Sequence, residues 1–345
     1  MKIGTIFTGG TIGSRLGKEG TVVPDEEMRF LLLERYRQEE KTCGEEEFPE
    51  FLTEEPYYIL SENLTAKELL KLYDCILRMI EKEKPAGIIV LHGTDTLAYT
   101  AAFLSYVFWE VQIPVVLVSS AYPMEDERAN GMDNFKGAVR FITDISVPGV
   151  YVSYKNAGEN VKIHAGTGIL HPLEYSDRVF CLRQACYGSF TEDWSFVKNT
   201  AYKEAELFNG EQKKLLSKSL TLTEQCTEVL RIIPYVGMSY PVIGEGTRAV
   251  LMESYHSGTI GISDELRRFA KTAKERGVPV YLTGLNTEDA DYETVESYEA
   301  LGIIPLRNKT AVSQYVKLWL FLSNDMEPTA YMNEKSDCES RPALL

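Results

Sequence analysis

Hydrophobic positions in the first half of the chain fall into short runs separated by helix-length stretches. Lys2–Phe7, Ala86–Leu91, Val115–Val118 and Gly149–Tyr154 read as buried strands. Between them, Ala66–Lys82 carries Leu69, Leu70, Tyr73 and Ile76 at helical spacing, with Thr65 placed to cap it. Glu26–Gln38, Leu97–Phe108 and Asn134–Thr143 also read as helices, and Tyr57–Leu60 as a short strand ending at Ser61-Glu62-Asn63. Gly13–Pro24 is studded with glycine and reads as a loop, and the charged stretch Glu39–Glu50 as a solvated one. Strands alternating with helices predict a parallel, doubly wound sheet. The right-handed crossover rule then turns all the strand ends toward one edge.

From Phe190 to Leu222 the chain is polar and rich in Lys and Glu, without a strand pattern. A second, smaller α/β unit follows, with strands at Val229–Pro234, Ala249–Ser254 and Val278–Thr283 and helices at Ser263–Glu275 and Thr310–Leu322. The tail after Asn324 reads as frayed. A length of 345 residues suits two units, since single cores stop growing at about 250–300 residues. The expected fold class is therefore α/β, a larger N-terminal doubly wound, mainly parallel sheet domain plus a smaller C-terminal α/β domain. The expected boundaries are 1–190, a connector 191–222, and 223–345.

Composition changes this picture only by exclusion. The net charge of −15 argues against nucleic acid or an anionic membrane, because phosphate binding needs clustered Lys and Arg. No apolar run reaches the ~18 residues of a membrane span. The opening strand leaves no room for a cleavable signal, and the six cysteines are scattered, with no C-x-x-C, as free thiols of a cytoplasmic protein would be. A small-molecule partner is expected.

Chemistry concentrates in two motifs that follow predicted strands, T-G-G-T-I-G at 8–13 and H-G-T-D-T at 92–96. In an open parallel sheet, ligands bind where such turns leave the strand ends. The first motif lacks the G-x-G-x-x-G spacing of a dinucleotide loop and the G-K-[ST] of a phosphate loop. Gly9 and Gly10 suit a tight turn, which does not account for a threonine on either side. In the second motif Thr96 or Asp95 could simply cap Leu97–Phe108. Alternatively Asp95 could orient a substrate amine while Thr94 attacks or activates water, with a lysine of lowered pKa as helper. His92 reads as a hydrogen-bonded structural residue. His164 and His171 show no H-x-x-x-H or H-E-x-x-H spacing, so no zinc site is expected.

These two motifs, in this order and with this domain plan, resemble the bacterial-type L-asparaginases of the asparaginase/glutaminase family. The similarity runs over most of the chain and includes Ala249–Gly258, which parallels a family strand and loop. The resemblance implies a hydrolase that converts asparagine to aspartate and ammonia, with no cofactor, working as a homodimer or homotetramer. It makes Thr11 the flexible-loop nucleophile, Thr94 the second catalytic threonine and Asp95 its neighbour, which also holds the substrate α-amine. Lys162 falls where the family keeps the lysine of a Thr-Lys-Asp triad. Ser61 matches the residue that holds the α-carboxylate, and Glu62 stands where some members have a glutamine near the amine.

Three positions depart from the family pattern. The tyrosine usually found in the mobile loop aligns with Val22, Ala129-Asn130-Gly131 stands where members often read Ser-x-Asp-Gly, and Thr259 replaces an asparagine that reaches a neighbouring subunit. Other expectations on the same fold are an amidase shifted to glutamine or a larger amide, the amide-hydrolysing subunit of a tRNA-dependent amidotransferase, and a non-catalytic amino-acid sensor. The amidotransferase component usually has a further N-terminal domain.

Overall fold

The computed structural model describes residues 1–16, 22–24, 28–44, 47–182, 186–200, 202–203, 220–285, 293–330, 332 and 341–342. β1 (Lys2–Phe7) is followed by a hairpin of β2 (Ser14–Leu16) and β3 (Val22–Pro24), and then by α1 (Met28–Thr42). Part of the expected Gly-studded loop is thus paired strand. The side chain of Val22 and residues 17–21 lie outside the described residues. β4 (Glu50–Glu54), α2 (Ala66–Glu83), β5 (Gly87–Leu91), α3 (Leu97–Val107), β6 (Pro114–Val118), α4 (Gly131–Arg140) and β7 (Gly149–Tyr154) continue the alternation. β7, β6, β5, β1 and β4 lie side by side and parallel. The central strands are buried along their whole length, as parallel strands covered by helices on both faces must be.

The sheet then changes character. β8 (Lys162–Ala165), β9 (Gly188–Phe190) and β10 (Phe196–Lys198) extend it beyond β7 in antiparallel fashion to eight strands. β10 and the short β11 (Tyr202–Lys203) lie in the stretch expected to lack strands. Likewise Tyr57–Leu60 is not a strand, because Ile59 makes only an isolated bridge to Gly9, and the paired edge strand is β4.

A second sheet of β12 (Val229–Ile232), β13 (Ala249–Met252), β14 (Val280–Thr283) and β15 (Ile303–Leu306) is wholly parallel. α5 (Asp264–Glu275), α6 (Thr294–Ala300) and α7 (Ala311–Ser323) accompany it. β15 and α6 have no counterpart among the elements expected from the hydrophobic pattern. The tail is not wholly frayed, since β16 (Arg341–Pro342) pairs with β11. α7 touches both cores. Val312, Val316 and Leu320 join the large-sheet core on the side of α3, while Leu318 and Leu322 pack with β13 and β14 residues. Among the described residues no helix is long and apolar enough to cross a membrane.

In the stretch expected to be solvated, Glu39 and residues 41–44 are exposed, but Glu40 is not. α1 runs past Gln38 to Thr42, and Glu40 is 2% exposed. Its carboxylate meets the Lys136 ammonium and, at 3.0 Å, the Arg140 guanidinium, so that α1 is tied to α4. Removing one partner of a buried ion pair strands the other charge, at a cost of about 3–5 kcal/mol. Glu40→Ala is expected to lose stability on that scale, read as a lowered midpoint in urea unfolding.

Candidate active site

Parallel pairing sets the two threonine motifs side by side. Phe7 lies opposite Leu91 at the ends of β1 and β5, so both turns leave the sheet at one level. Thr8 is held there by its amide and its hydroxyl, both donating to the Leu91 carbonyl, at 3.2 and 2.7 Å. Gly10 then turns with φ of 76°, against the backbone of Gly93. A Cβ on Gly10 would lie 2.3 Å from the Gly93 Cα, and one on Gly93 would lie 2.4 Å from the Ser61 Oγ. No side chain fits in either gap. Thr11 and Thr94 therefore each follow a glycine of one shared contact.

Ser61 enters from the loop after β4. It is buried, and its Oγ donates to Asp95 Oδ2 at 3.3 Å. Thr96 stands at the N-cap of α3 without making a side-chain cap; its hydroxyl donates instead to the Ser61 carbonyl at 3.0 Å. The capping alternative for H-G-T-D-T thus yields to a tie between two loops. Thr65 likewise occupies the N-cap of α2, but its hydroxyl goes to the Glu68 carboxylate. Thr11 and Thr94 are partly exposed, and Asp95 and Glu62 are exposed.

His92 is buried below this junction. Its Nδ1 lies 2.8 Å from the Gly93 carbonyl, which can only accept, so Nδ1 carries the proton and Nε2 accepts from the Thr100 hydroxyl at 2.9 Å. The ring orients the peptide that precedes Thr94.

Lys162 begins β8 opposite Tyr154, with its ammonium 2.5 Å from Glu159 Oε2. Glu159 is also bound by Arg178, and these cations hold its carboxyl below the usual range. A cavity of about 310 Å³ is lined by Thr94, Asp95, Ala98, Ala121, Tyr154 and residues of the segment from Leu170 to Phe180, including Arg178. Lys162 is not in its lining. The structure thus joins Ser61, Asp95 and the two threonine turns, while Lys162 faces Glu159.

Asn130 has a clear reason for being an amide. Its Oδ1 accepts from the Ala121 amide at 2.9 Å and its Nδ2 donates to the Lys155 carbonyl at 2.8 Å, tying the loops after β6 and β7. A carboxylate could not donate the second bond. Thr259 bonds Ser257 within its own turn, at 2.8 Å between hydroxyls. No motif announces Tyr58, whose hydroxyl donates to the Gly13 carbonyl, or Glu159 and Arg178 beside Lys162.

A sequence profile described as "Asparaginase, N-terminal" matches residues 2–172. The chain belongs to the asparaginase family. This asparaginase-family chain is 27% identical over 263 residues to an L-asparaginase of Thermococcus kodakarensis, covering 72% of the chain and 74% of that protein. It is also 24% identical over 337 residues to a glutamyl-tRNA(Gln) amidotransferase subunit of Pyrococcus abyssi, covering 92% of the chain and 71% of that protein. In fold it is similar to L-asparaginase I of Vibrio cholerae, with a TM-score of 0.76, 23% identity and 98% of each chain covered.

The buried histidines make stability depend on pH. Burial pushes His92 and His164 down from 6.5 to about 4, and neither nitrogen of His164 has a hydrogen-bond partner among the described residues. The unfolded chain binds these protons between pH about 6.5 and about 4 while the folded chain does not. Stability is therefore full above that window and falls as pH drops through it, by about 3 kcal/mol for each ring. Urea midpoints measured across the window are expected to fall on acidification. His164→Leu should remove about half of that slope.

Proposed function

We propose that this asparaginase-family chain hydrolyses the side-chain amide of L-asparagine to L-aspartate and ammonia through a threonine acyl-enzyme. The observation that carries the reading is the Gly10–Gly93 contact, which sets the Thr11 and Thr94 turns together beside the Ser61–Asp95 pair. Thr11 Oγ attacks the amide carbon, and its proton leaves with the departing nitrogen as ammonia. Water then cleaves the ester, releasing aspartate and returning the proton to Thr11. Thr94 activates or orients the water, Asp95 takes the α-amine with Glu62 near it, and Ser61 holds the α-carboxylate. Backbone N–H groups near Thr94 hold the oxyanion, each worth about 2.7–4 kcal/mol in other enzymes.

Lys162 is assigned to charge stabilisation of Thr94, which requires its ammonium to leave Glu159 or to act from there. The reading also assigns the chemistry to the first domain, 1–190, with 191–222 as connector and 223–345 as the smaller domain. It takes the working form to be a cytoplasmic homodimer or homotetramer, with the Ser257–Thr259 turn reaching a partner's site. A shifted amide substrate is the second reading, supported by Val22 in place of a tyrosine and by the presence of an amidotransferase subunit among the relatives.

Ammonia release from asparagine, glutamine and larger amides separates these readings, and asparagine is expected to be the best substrate. Release from glutamine or a larger amide alone would transfer the function to the second reading, and no release from any would leave a binding protein. Thr11→Ala and Thr94→Val are each expected to cut turnover by several powers of ten with the fold intact. Lys162→Met should do the same; a near-normal rate would remove Lys162 from the site.

A further inference from the structure

The loop between Gly13 and Pro24 contains no tyrosine, yet a tyrosine hydroxyl does reach the Thr11 turn. It comes from the scaffold. The segment around Tyr58 runs beside the first motif, with the Ile59 amide donating to the Thr8 carbonyl at 3.1 Å and the Gly10 amide donating to the Ile59 carbonyl at 3.0 Å. Those bonds clamp Tyr58 to the residues just ahead of Thr11. From there its hydroxyl donates to the carbonyl of Gly13, the last residue of the single turn Thr11–Gly13.

The other end of the turn is held in the same way. The Gly10 carbonyl accepts from the Gly13 amide at 3.1 Å and from Ser14 Oγ at 2.8 Å. Thr11 thus lies between two carbonyls, each bound by a side-chain hydroxyl. The fit at Tyr58 is close, since a Cβ on Gly13 would stand 2.6 Å from the phenol oxygen.

We propose that Tyr58 is the positioning residue for Thr11, its hydroxyl fixing the Thr11–Gly13 turn from the sheet edge. This rests on the reading of Thr11 as nucleophile. The Tyr58 hydroxyl bonds the backbone of the turn, at Gly13. It sets the direction of the turn that carries Thr11, where a misplacement of about 1 Å costs on the order of 100-fold in rate.

Tyr58→Phe deletes only the hydroxyl. With asparagine as substrate, kcat is expected to fall about 10- to 100-fold while KM stays within about threefold, as for an interaction that aligns the attacking atom. Hydrogen exchange of a peptide covering residues 8–16 is expected to quicken locally, with the thermal midpoint unchanged. Wild-type kcat in Tyr58→Phe, in an enzyme that Thr11→Ala silences, would overturn the assignment. Unchanged exchange at 8–16 would overturn it too, as would faster exchange throughout with a lowered midpoint, which would mark Tyr58 as a packing residue. If Thr11→Ala is itself active, the nucleophile reading fails, and the exchange measurement alone decides whether Tyr58 holds the turn.

Discussion

Two glycines in backbone contact control the geometry of the site. Gly10 and Gly93 belong to turns that leave neighbouring parallel strands at one level, and each must lack a side chain because the other's main chain, or Ser61, fills the space. Everything chemical at this edge is measured from that contact. The peptide after Gly93 is steadied by the Nδ1–H of His92, the one after Gly10 by Ser14 and the one after Gly13 by Tyr58. The sheet provides the common level and hydroxyl groups the fine adjustment. The site is thereby built on rigid elements, with loops contributing direction more than support.

Around that contact the hydroxyl-bearing residues work mostly on the backbone. Thr8, Ser14, Tyr58 and Thr96 all donate to main-chain carbonyls. This explains why the edge is rich in threonine and serine beyond the two residues assigned to chemistry. Ser61 and Thr100 depart from this, since the Ser61 hydroxyl meets the Asp95 carboxylate directly and that of Thr100 bonds His92. The amides of Asn130 and Asn134 make similar ties one strand further along, joining the ends of β6 and β7.

The parallel half of the large sheet is legible in the sequence because its strands are buried on both faces and read as apolar runs, while Leu69 and Ile76 mark the inner face of α2. The edge that carries the threonine turns follows from the same pattern. The antiparallel extension is not legible. β8 reads Lys-Ile-His-Ala, a partner-dependent strand with too few residues to show alternation. Glu40 reads as solvated because a charged run is normally a wet surface, and only Lys136 and Arg140, a hundred residues on, reveal its burial. Tyr58 carries no signal for a similar reason, as its role depends on a turn 45 residues away. Local pattern records burial and period; it does not record which distant group a polar tip will meet.

α7 has a consequence for how the protein comes apart. Its Val312, Val316 and Leu320 serve the core of the large sheet, and on the opposite side Leu318 and Leu322 serve the core of the small one. Either sheet without the helix would expose an apolar strip, and the helix cannot leave one without weakening its hold on the other. Two sheets that share a wall in this way should melt in one calorimetric transition, with the measured enthalpy matching that expected for a single cooperative unit.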